Sequence, residues 1–337
     1  PSALMRTASI TGWGHYAPDR VVTNDELSEY MDTNDEWIRS RSGIRERRFA
    51  GEHETTATMS VESGQRAMKQ AGIAPNEVDL LLVASSSPDY LTPPVSSQVQ
   101  EGLNLPHAGA MQLTVGCTGF VYAVVTAQQF IQTGTCDTVL IVGTELISRW
   151  LSWNKRSTAV LFGDGSGAVV MQATSTGGVH SHVLGSDGSG AEDIIVPSGG
   201  VASPITHAGV DNGEPALEMN GREVFKFATR IMHRTVTEAL ASSPYTTADI
   251  DLLVPHQANA RIIQYAADEL GLAQEQVYVN VDRYGNTSAA SVPLALSEAL
   301  QAGHAGPGDT LALVAFGAGL TWGGVVLDLP DSLPAPI

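Results

Sequence analysis

Two segments in the first half of the chain recur in the second half, and this duplication is the feature that most limits what the chain can fold into. Val78-Asp-Leu-Leu-Leu-Val resembles Ile250-Asp-Leu-Leu-Val, and Cys136-Asp-Thr-Val-Leu-Ile-Val resembles Gly308-Asp-Thr-Leu-Ala-Leu-Val. Both pairs align at the same offset of 172 residues (251 − 79 and 309 − 137). An offset shared by two apolar runs and the segment between them predicts two halves of similar fold.

Apolar runs that are typical of buried parallel strands alternate with helical patterns along both halves. We therefore predict an α/β protein with mostly parallel central sheets, made of an N-terminal half at 1–175 and a C-terminal half at 176–337. Gly167-Ala-Val-Val-Met and Gly323-Gly-Val-Val-Leu are expected to close the halves as similar edge strands. Residues 185–218 are rich in Gly, Ser, Pro and acids, and we expect them to cap a site between the halves.

Composition excludes several classes of function. The 337 residues carry a formal charge of −18 with 18 Lys and Arg, which argues against nucleic acid as a partner. Two cysteines do not make a disulfide framework, so a reducing compartment, the cytoplasm, is expected. No apolar stretch predicts a membrane span, and the first residues lack the pattern of a signal peptide. Met5 is the candidate native start.

Cys117 is the candidate nucleophile. It lies in Met111-Gln-Leu-Thr-Val-Gly-Cys-Thr-Gly-Phe, where an apolar run ends and an amphipathic helical segment over 118–132 begins. A cysteine at a helix N-terminus is expected to have a lowered thiol pKa, because the helix dipole favours the thiolate. Cys136 precedes a plain buried strand and is interpreted as structural.

The repeat places two further polar residues near Cys117. The helix after Cys117 corresponds to the helix after Asn286, and His256 follows the strand that is equivalent to the one before Ser85. Strands that end at one face of a duplicated sheet converge on one crevice, where open α/β sheets bind ligands. A Cys, a His and an Asn in one crevice are the parts of a thiol-based acyl transfer site.

Two glycine-rich segments lie near these residues. Gly163-Asp-Gly-Ser-Gly has no phosphate-loop Lys and precedes a strand, so we interpret it as a set of tight backbone approaches and not as a nucleotide site. Phe316-Gly-Ala-Gly-Leu follows a buried strand at the end where the three polar residues converge. The backbone N–H of Ala318 is expected to pair with that of Cys117 as an oxyanion hole.

Four segments together resemble the β-ketoacyl-[acyl-carrier-protein] synthase III family, the initiating condensing enzymes of bacterial fatty acid synthesis. The resemblance covers about residues 8–328 and rests on Val115-Gly-Cys-Thr-Gly-Phe, Val254-Pro-His-Gln-Ala-Asn, Gly285-Asn-Thr-Ser-Ala-Ala-Ser and Ala315-Phe-Gly-Ala-Gly-Leu-Thr-Trp-Gly. It implies a five-layer αβαβα thiolase-like fold and a homodimer. It also implies acylation of Cys117 by acyl-CoA and condensation with malonyl-[acyl-carrier-protein], without a metal or redox cofactor.

The same resemblance implies further binding residues. The CoA-binding residues would be Trp37, Arg41, Arg156, Gly221 and Asn259, although Trp153-Asn-Lys-Arg-Ser-Thr departs from the Asp-Arg-Gly-Thr usual in the family. The acyl tunnel would be lined by Thr92, Phe225 and Phe316. Thr92 stands where relatives that use acetyl groups carry a Phe that reaches across the dimer, so a longer acyl chain is expected here.

A row of cations on the helix predicted at 222–239 is the candidate docking surface for an acidic carrier protein. These cations recur every four residues, while apolar residues mark a buried side of the same helix. The predicted docking residues are Arg222, Lys226, Arg230, Arg234, Gln257 and Arg261. An ordinary solvated helix face is the alternative.

Three other functions fit part of the pattern. A relative that starts a specialised, polyketide-like pathway or passes the acyl group to another acceptor would keep the Cys, His and Asn. The order Cys…His…Asn also occurs in papain-like proteases, but Cys-Gly-Ser-Cys-Trp is absent and the duplication has no place in that fold. A silent binding scaffold is the third alternative, and it predicts a Cys117 that does not react with iodoacetamide.

Overall fold

The computed structural model describes residues 6–336, so the candidate start Met5 lies outside the described residues. The strands are β1 Thr7–Tyr16, β2 Val21–Thr23, β3 Glu46–Arg48, β4 Leu80–Ala84, β5 Gly109–Leu113, β6 Thr138–Leu146, β7 Asp164–Thr174, β8 Gly178–Ser186, β9 Ile194–Ile195, β10 Glu218–Met219, β11 Leu252–Pro255, β12 Thr310–Gly317 and β13 Thr321–Asp328. The α-helices are α1 Asn24–Ser28, α2 Asp35–Ser42, α3 Thr56–Ala71, α4 Val95–Gly102, α5 Gly119–Gln132, α6 Arg156–Ala159, α7 His207–Asp211, α8 Gly221–Ala241, α9 Ala260–Leu270, α10 Val281–Tyr284 and α11 Ser291–Gln301. Within these described residues, no helix combines the length and the apolar character that crossing a bilayer requires.

Two sheets carry the duplication. The first has the strand order β1-β7-β6-β4-β5, and the second has the corresponding order β8-β13-β12-β11. In each sheet one strand, β7 or β13, runs opposite to the others, which confirms mostly parallel strands. The prediction that 167–171 and 323–327 are edge strands is wrong, because β1 and β8 pair antiparallel with β7 and β13 and cover them.

Alternating side chains of the strands divide the core into layers. Leu80 and Leu82 of β4 pack in the central cluster with α5 and α11, whereas Leu81 and Val83 pack on the opposite face with α3 and α4. The second sheet likewise faces α5 and α11 on one side and α8 and α9 on the other. The order is therefore helix, sheet, helix, sheet, helix, which is the predicted five-layer arrangement.

The duplication extends to the turns that precede the two central helices. A 3₁₀ turn at Gly116–Thr118 leads into α5, and a 3₁₀ turn at Ser288–Ala290 leads into α11. The two turns are separated by the same offset as the strands (288 − 116). The predicted boundary between the halves, near residue 175, falls between β7 and β8.

Candidate active site

A cavity of about 690 Å³ opens where the two 3₁₀ turns meet, and Cys117, His256 and Asn286 all line it. Most of its other lining residues are apolar. One wall comes from residues 185–218, the segment expected to form a cap, through Ile194, Ile195, Val196 and Leu217. Within residues 6–336, no group of three or more His, Cys, Asp or Glu side chains could hold a metal ion.

The thiol of Cys117 is partly accessible at the wall of the cavity. Its Sγ lies 3.4 Å from Oγ of Ser288. Burial raises the pKa of Cys117 to about 12; the hydrogen bond with Ser288 opposes this shift, and the charge of Glu145 adds to it. The expectation of a lowered pKa is therefore wrong for this site: α5 begins only at Gly119, and desolvation of the thiolate outweighs the helix dipole.

The imidazole of His256 is held in place at the cavity by its backbone and by Phe316. Its backbone N–H donates to the carbonyl oxygen of Val314 at 2.7 Å, and its ring packs edge-on against Phe316 with centroids 5.3 Å apart. Nδ1 is buried and has no hydrogen-bond partner within the described chain, so Nε2 is the nitrogen available to a ligand. Burial lowers the pKa of His256 to about 3, which keeps the ring neutral near pH 7.

This buried histidine predicts a measurable acid sensitivity of the fold. In the unfolded chain, His256 binds a proton below about pH 6.5. In the folded chain it stays neutral until about pH 3, so the free energy of unfolding decreases as the pH falls. Between about pH 7 and about pH 5, the free energy of unfolding of His256→Gln should decrease by roughly 2 kcal/mol less than that of the wild type, as measured by urea unfolding. His107→Gln, at an exposed histidine, is the control and should follow the wild type. Parallel pH curves for wild type and His256→Gln would contradict the assignment.

Asn286 is held in place by two hydrogen bonds of its own backbone. Its N–H donates to the carbonyl oxygen of Leu161 at 2.8 Å, and its carbonyl oxygen accepts from the N–H of Gly163 at 3.0 Å. Oδ1 accepts from the N–H of Ser288 at 2.8 Å, which leaves the Nδ2 donors for a ligand. A Cβ on Gly163 would lie 2.2 Å from the carbonyl oxygen of Tyr284, so this glycine permits the close approach that the sequence predicts.

The two expected oxyanion donors lie side by side. A Cβ added to Gly317 would come within 2.7 Å of the backbone nitrogen of Cys117, and one added to Gly116 within 3.1 Å of that of Ala318. Among the described residues, the backbone N–H groups of Cys117 and Ala318 donate to no other residue. Both are therefore available to an oxygen atom in the cavity.

The residues expected to bind CoA gather at the cavity mouth. Trp37 contacts two cations, with the guanidinium carbons of Arg41 and Arg156 at 4.8 and 4.5 Å from the centroid of its ring. Trp37, Arg41, Gly221 and Asn259 line the cavity, whereas Arg156 reaches it only through its contact with Trp37. Asn259 also caps α9 through the N–H of Arg261, and its amide donates to the carbonyl oxygen of Arg41.

The expected docking and tunnel residues are only partly brought together. Arg222, Lys226 and Arg261 lie at the cavity mouth, and Arg230 and Arg234 continue the row on the exposed face of α8.

One docking assignment is wrong. Gln257 is 1% exposed. Its amide donates to the carbonyl oxygens of Pro255 and Tyr278 and accepts from the N–H groups of Asn280 and Val281. Because this amide is fully used inside the protein, it cannot contact a partner.

Phe225 and Phe316 line the cavity, as expected for tunnel residues. Thr92 does not line the cavity of its own chain and is exposed. Its expected role across a dimer therefore stays a prediction.

Sequence reasoning missed Ser288 and Glu145. Glu145 is fully buried in β6, where Ser86 and Ser87 donate their N–H groups to its carboxylate at 3.0 to 3.2 Å. Ser288 Oγ donates to Oε1 of Glu145 at 3.1 Å. A carboxylate inside the apolar run Thr138–Leu146 was the signal that could have identified Glu145.

Comparisons with known proteins agree with this geometry. Family models described as 3-oxoacyl-[acyl-carrier-protein] synthase III and as its C-terminal part match residues 111–188 and 240–329. The chain is 47% identical over 324 residues to the β-ketoacyl-[acyl-carrier-protein] synthase III of Symbiobacterium thermophilum, covering 96% of this chain and 98% of the relative.

Solved structures give the same result. The synthase III of Thermus thermophilus superposes with a TM-score of 0.88 at 43% identity, covering 96% of this chain and all of that one. The priming β-ketosynthase of the R1128 polyketide pathway superposes with a TM-score of 0.90 at 35% identity, covering 98% and 99%.

Proposed function

Since this chain belongs to the β-ketoacyl-[acyl-carrier-protein] synthase III family of condensing enzymes, which initiate fatty acid synthesis, we propose that Cys117 is the residue that takes the acyl group. An acyl-CoA would deliver it, and malonyl-[acyl-carrier-protein] would then be condensed with it. The observation that carries this proposal is the meeting of Cys117, His256 and Asn286 in one mostly apolar cavity.

The second step needs donors for an enolate. Loss of CO2 from the malonyl group leaves an electron pair on carbon, and the charge is shared with the thioester oxygen. The N–H of Nε2 of a neutral His256 and the Nδ2 donors of Asn286 stabilise that oxygen. The enolate carbon attacks the acyl carbon, the C–S bond to Cys117 breaks, and a 3-oxoacyl carrier protein is released.

Intact-protein mass spectrometry after incubation with mixed acyl-CoAs tests the first step. Labelled malonyl-carrier protein tests the second, with release of CO2 and a 3-oxoacyl product as the expected result. A relative that passes the acyl group to another acceptor would acylate Cys117 but release no CO2. A condensing enzyme that starts a specialised pathway is the second candidate; it too would release CO2, and the similarity to the priming β-ketosynthase supports it.

We propose that the enzyme is a cytoplasmic homodimer of two-half subunits divided near residue 175, and that it uses no metal or redox cofactor. Exposed apolar side chains support the dimer: Tyr90 and Leu91 are 61% and 90% exposed, and Met111 stands on the edge strand β5. A second copy would cover this surface. The stacked Trp37 and Arg156 and the nearby Arg41 support CoA binding at the mouth.

We propose the row of cations on α8 as the carrier-protein surface. Lys226 and Arg234 pair with acids of the same helix, Glu223 and Glu238, and these pairs are exposed and weak. In a chain with a charge of −18, such a row is a local attraction for an acidic partner.

Reversing two of these charges, in Lys226→Glu with Arg261→Glu, is therefore expected to raise the KM for malonyl-carrier protein about tenfold or more and to remove its salt dependence. Acylation by a short acyl-CoA should change much less. Lys69→Glu, an exposed lysine on α3 in the other outer layer, is the matched control. If acylation and condensation fall together, the row is structural.

A further inference from the structure

A thiol whose pKa is raised must lose its proton when it reacts, and the first acceptor must lie within hydrogen-bonding reach of the sulfur. Within the described chain, Cys117 has no hydrogen bond to His256, and its side-chain contact is Oγ of Ser288 at 3.4 Å. That hydroxyl donates onward to Oε1 of Glu145 at 3.1 Å. The three groups form a continuous path from sulfur to carboxylate.

We propose that Ser288 and Glu145 are the proton path of the acylation step: Ser288 is the catalytic hydroxyl that contacts the sulfur, and Glu145 is the proton acceptor positioned behind it. The proposal deepens the proposed function and rests on it. It assigns a role to a carboxylate that the condensation chemistry leaves unused.

The duplication gives independent support for Ser288. Gly116 and Ser288 are equivalent residues of the two halves (288 − 116 is again 172), and both have a left-handed backbone, with φ of +55° and +50°. Glycine adopts this conformation without penalty, whereas serine is strained there. The second half therefore keeps a hydroxyl at a position that the backbone favours for glycine.

The surroundings of Glu145 suit an acceptor. Serine groups surround its carboxylate, namely the N–H groups of Ser86 and Ser87 and the hydroxyls of Ser85, Ser87 and Ser288. No cation pairs with it among the described residues, and the titratable group that faces it is Cys117, beyond Ser288. Burial raises the pKa of Glu145, so its ionised form is a stronger base than an exposed glutamate.

The step balances as follows. The S–H bond of Cys117 breaks, and its electron pair forms the bond between sulfur and the thioester carbon while the second pair of the C=O bond moves onto the carbonyl oxygen, which accepts from the N–H groups of Cys117 and Ala318. The thiol proton passes to Oγ of Ser288 while Ser288 gives its own proton to Oε1 of Glu145. The pair on oxygen then re-forms the C=O bond as the bond between carbon and the CoA sulfur breaks. That sulfur keeps the bonding electron pair and takes the proton from Glu145 through Ser288, which returns Glu145 to its carboxylate.

The test is the rate of acyl-enzyme formation with an acyl-CoA, followed by mass spectrometry from about pH 6 to about pH 10. Glu145→Gln keeps the side-chain shape and is expected to acylate about 100-fold more slowly than wild type near pH 7. The deficit should shrink at high pH, where solvent removes the thiol proton. Glu145→Asp, which keeps a carboxylate, should recover part of the rate.

Ser288→Gly removes the hydroxyl but suits the left-handed backbone, so it tests the path even if Glu145→Gln fails to fold. It should show the same loss and the same recovery at high pH. Asp164→Asn is the matched control. Its carboxylate is also fully buried and accepts from the N–H groups of Ala50 and Ser148, but has no link to Cys117.

Rates within about threefold of wild type for Glu145→Gln and Ser288→Gly, or deficits that are equal at all pH values, would overturn the proton path. Wild-type enzyme is measured beside them. If wild type forms no acyl-enzyme with any acyl-CoA, the proposed function has failed; if it does and the variants match it, only the proton path has failed.

Discussion

Cys117→Ser is expected to form no detectable acyl-enzyme with any acyl-CoA, whereas His256→Ala and Asn286→Ala should still be acylated. The reason is a division of labour within the cavity. The hydrogen-bond partner of the thiol is Ser288, so removing the imidazole leaves the nucleophile and this polar neighbour in place. The enolate, in contrast, depends on the donors of His256 and Asn286, and loss of one such donor typically lowers a rate 10²- to 10³-fold.

Intact-protein mass spectrometry measures acylation, and CO2 release from malonyl-carrier protein measures the second step. Cys136→Ser is the control, because Cys136 is buried two residues before β6 and does not line the cavity. Equal loss of both steps in all three active-site variants would contradict the division of labour.

Wild-type enzyme is expected to be acylated far faster by hexanoyl-CoA and longer chains than by acetyl-CoA. The cavity is large and mostly apolar, and a threonine at position 92 takes less space than a phenylalanine at the place where the dimer is predicted to close the tunnel. Each buried methylene contributes about 0.8 kcal/mol, so four additional methylenes favour the longer chain by roughly 100- to 200-fold.

Thr92→Phe should reverse this preference, as read from kcat/KM for a series from acetyl- to dodecanoyl-CoA. Leu91→Phe is the matched control, since Leu91 is the exposed neighbour and receives an aromatic ring one position earlier. A wild-type preference for acetyl-CoA that Thr92→Phe leaves unchanged would remove Thr92 from the tunnel.

Much of the architecture follows from patterns that are local in the chain. The offset of 172 residues predicts two similar halves, and the alternation of apolar strands with helices predicts the layers. The spacing of four residues places the cations of α8 on one exposed face, because 3.6 residues form a turn. The convergence of Cys117, His256 and Asn286 also follows, since strand ends of equivalent halves meet at one crevice.

Tertiary structure alone decided the environment of each polar group. Glutamine is a residue type that is common on protein surfaces, but the amide of Gln257 is buried and makes its hydrogen bonds with backbone carbonyl and N–H groups of the interior. Glu145 becomes the neighbour of Cys117 only because Ser288 approaches from a turn 143 residues away. Burial raises the pKa of the thiol, against the expectation from its helix, because desolvation depends on every segment that excludes water from the site. Periodicity is a property of neighbouring residues, whereas desolvation and hydrogen-bond satisfaction are set by contacts between segments that are distant in the chain.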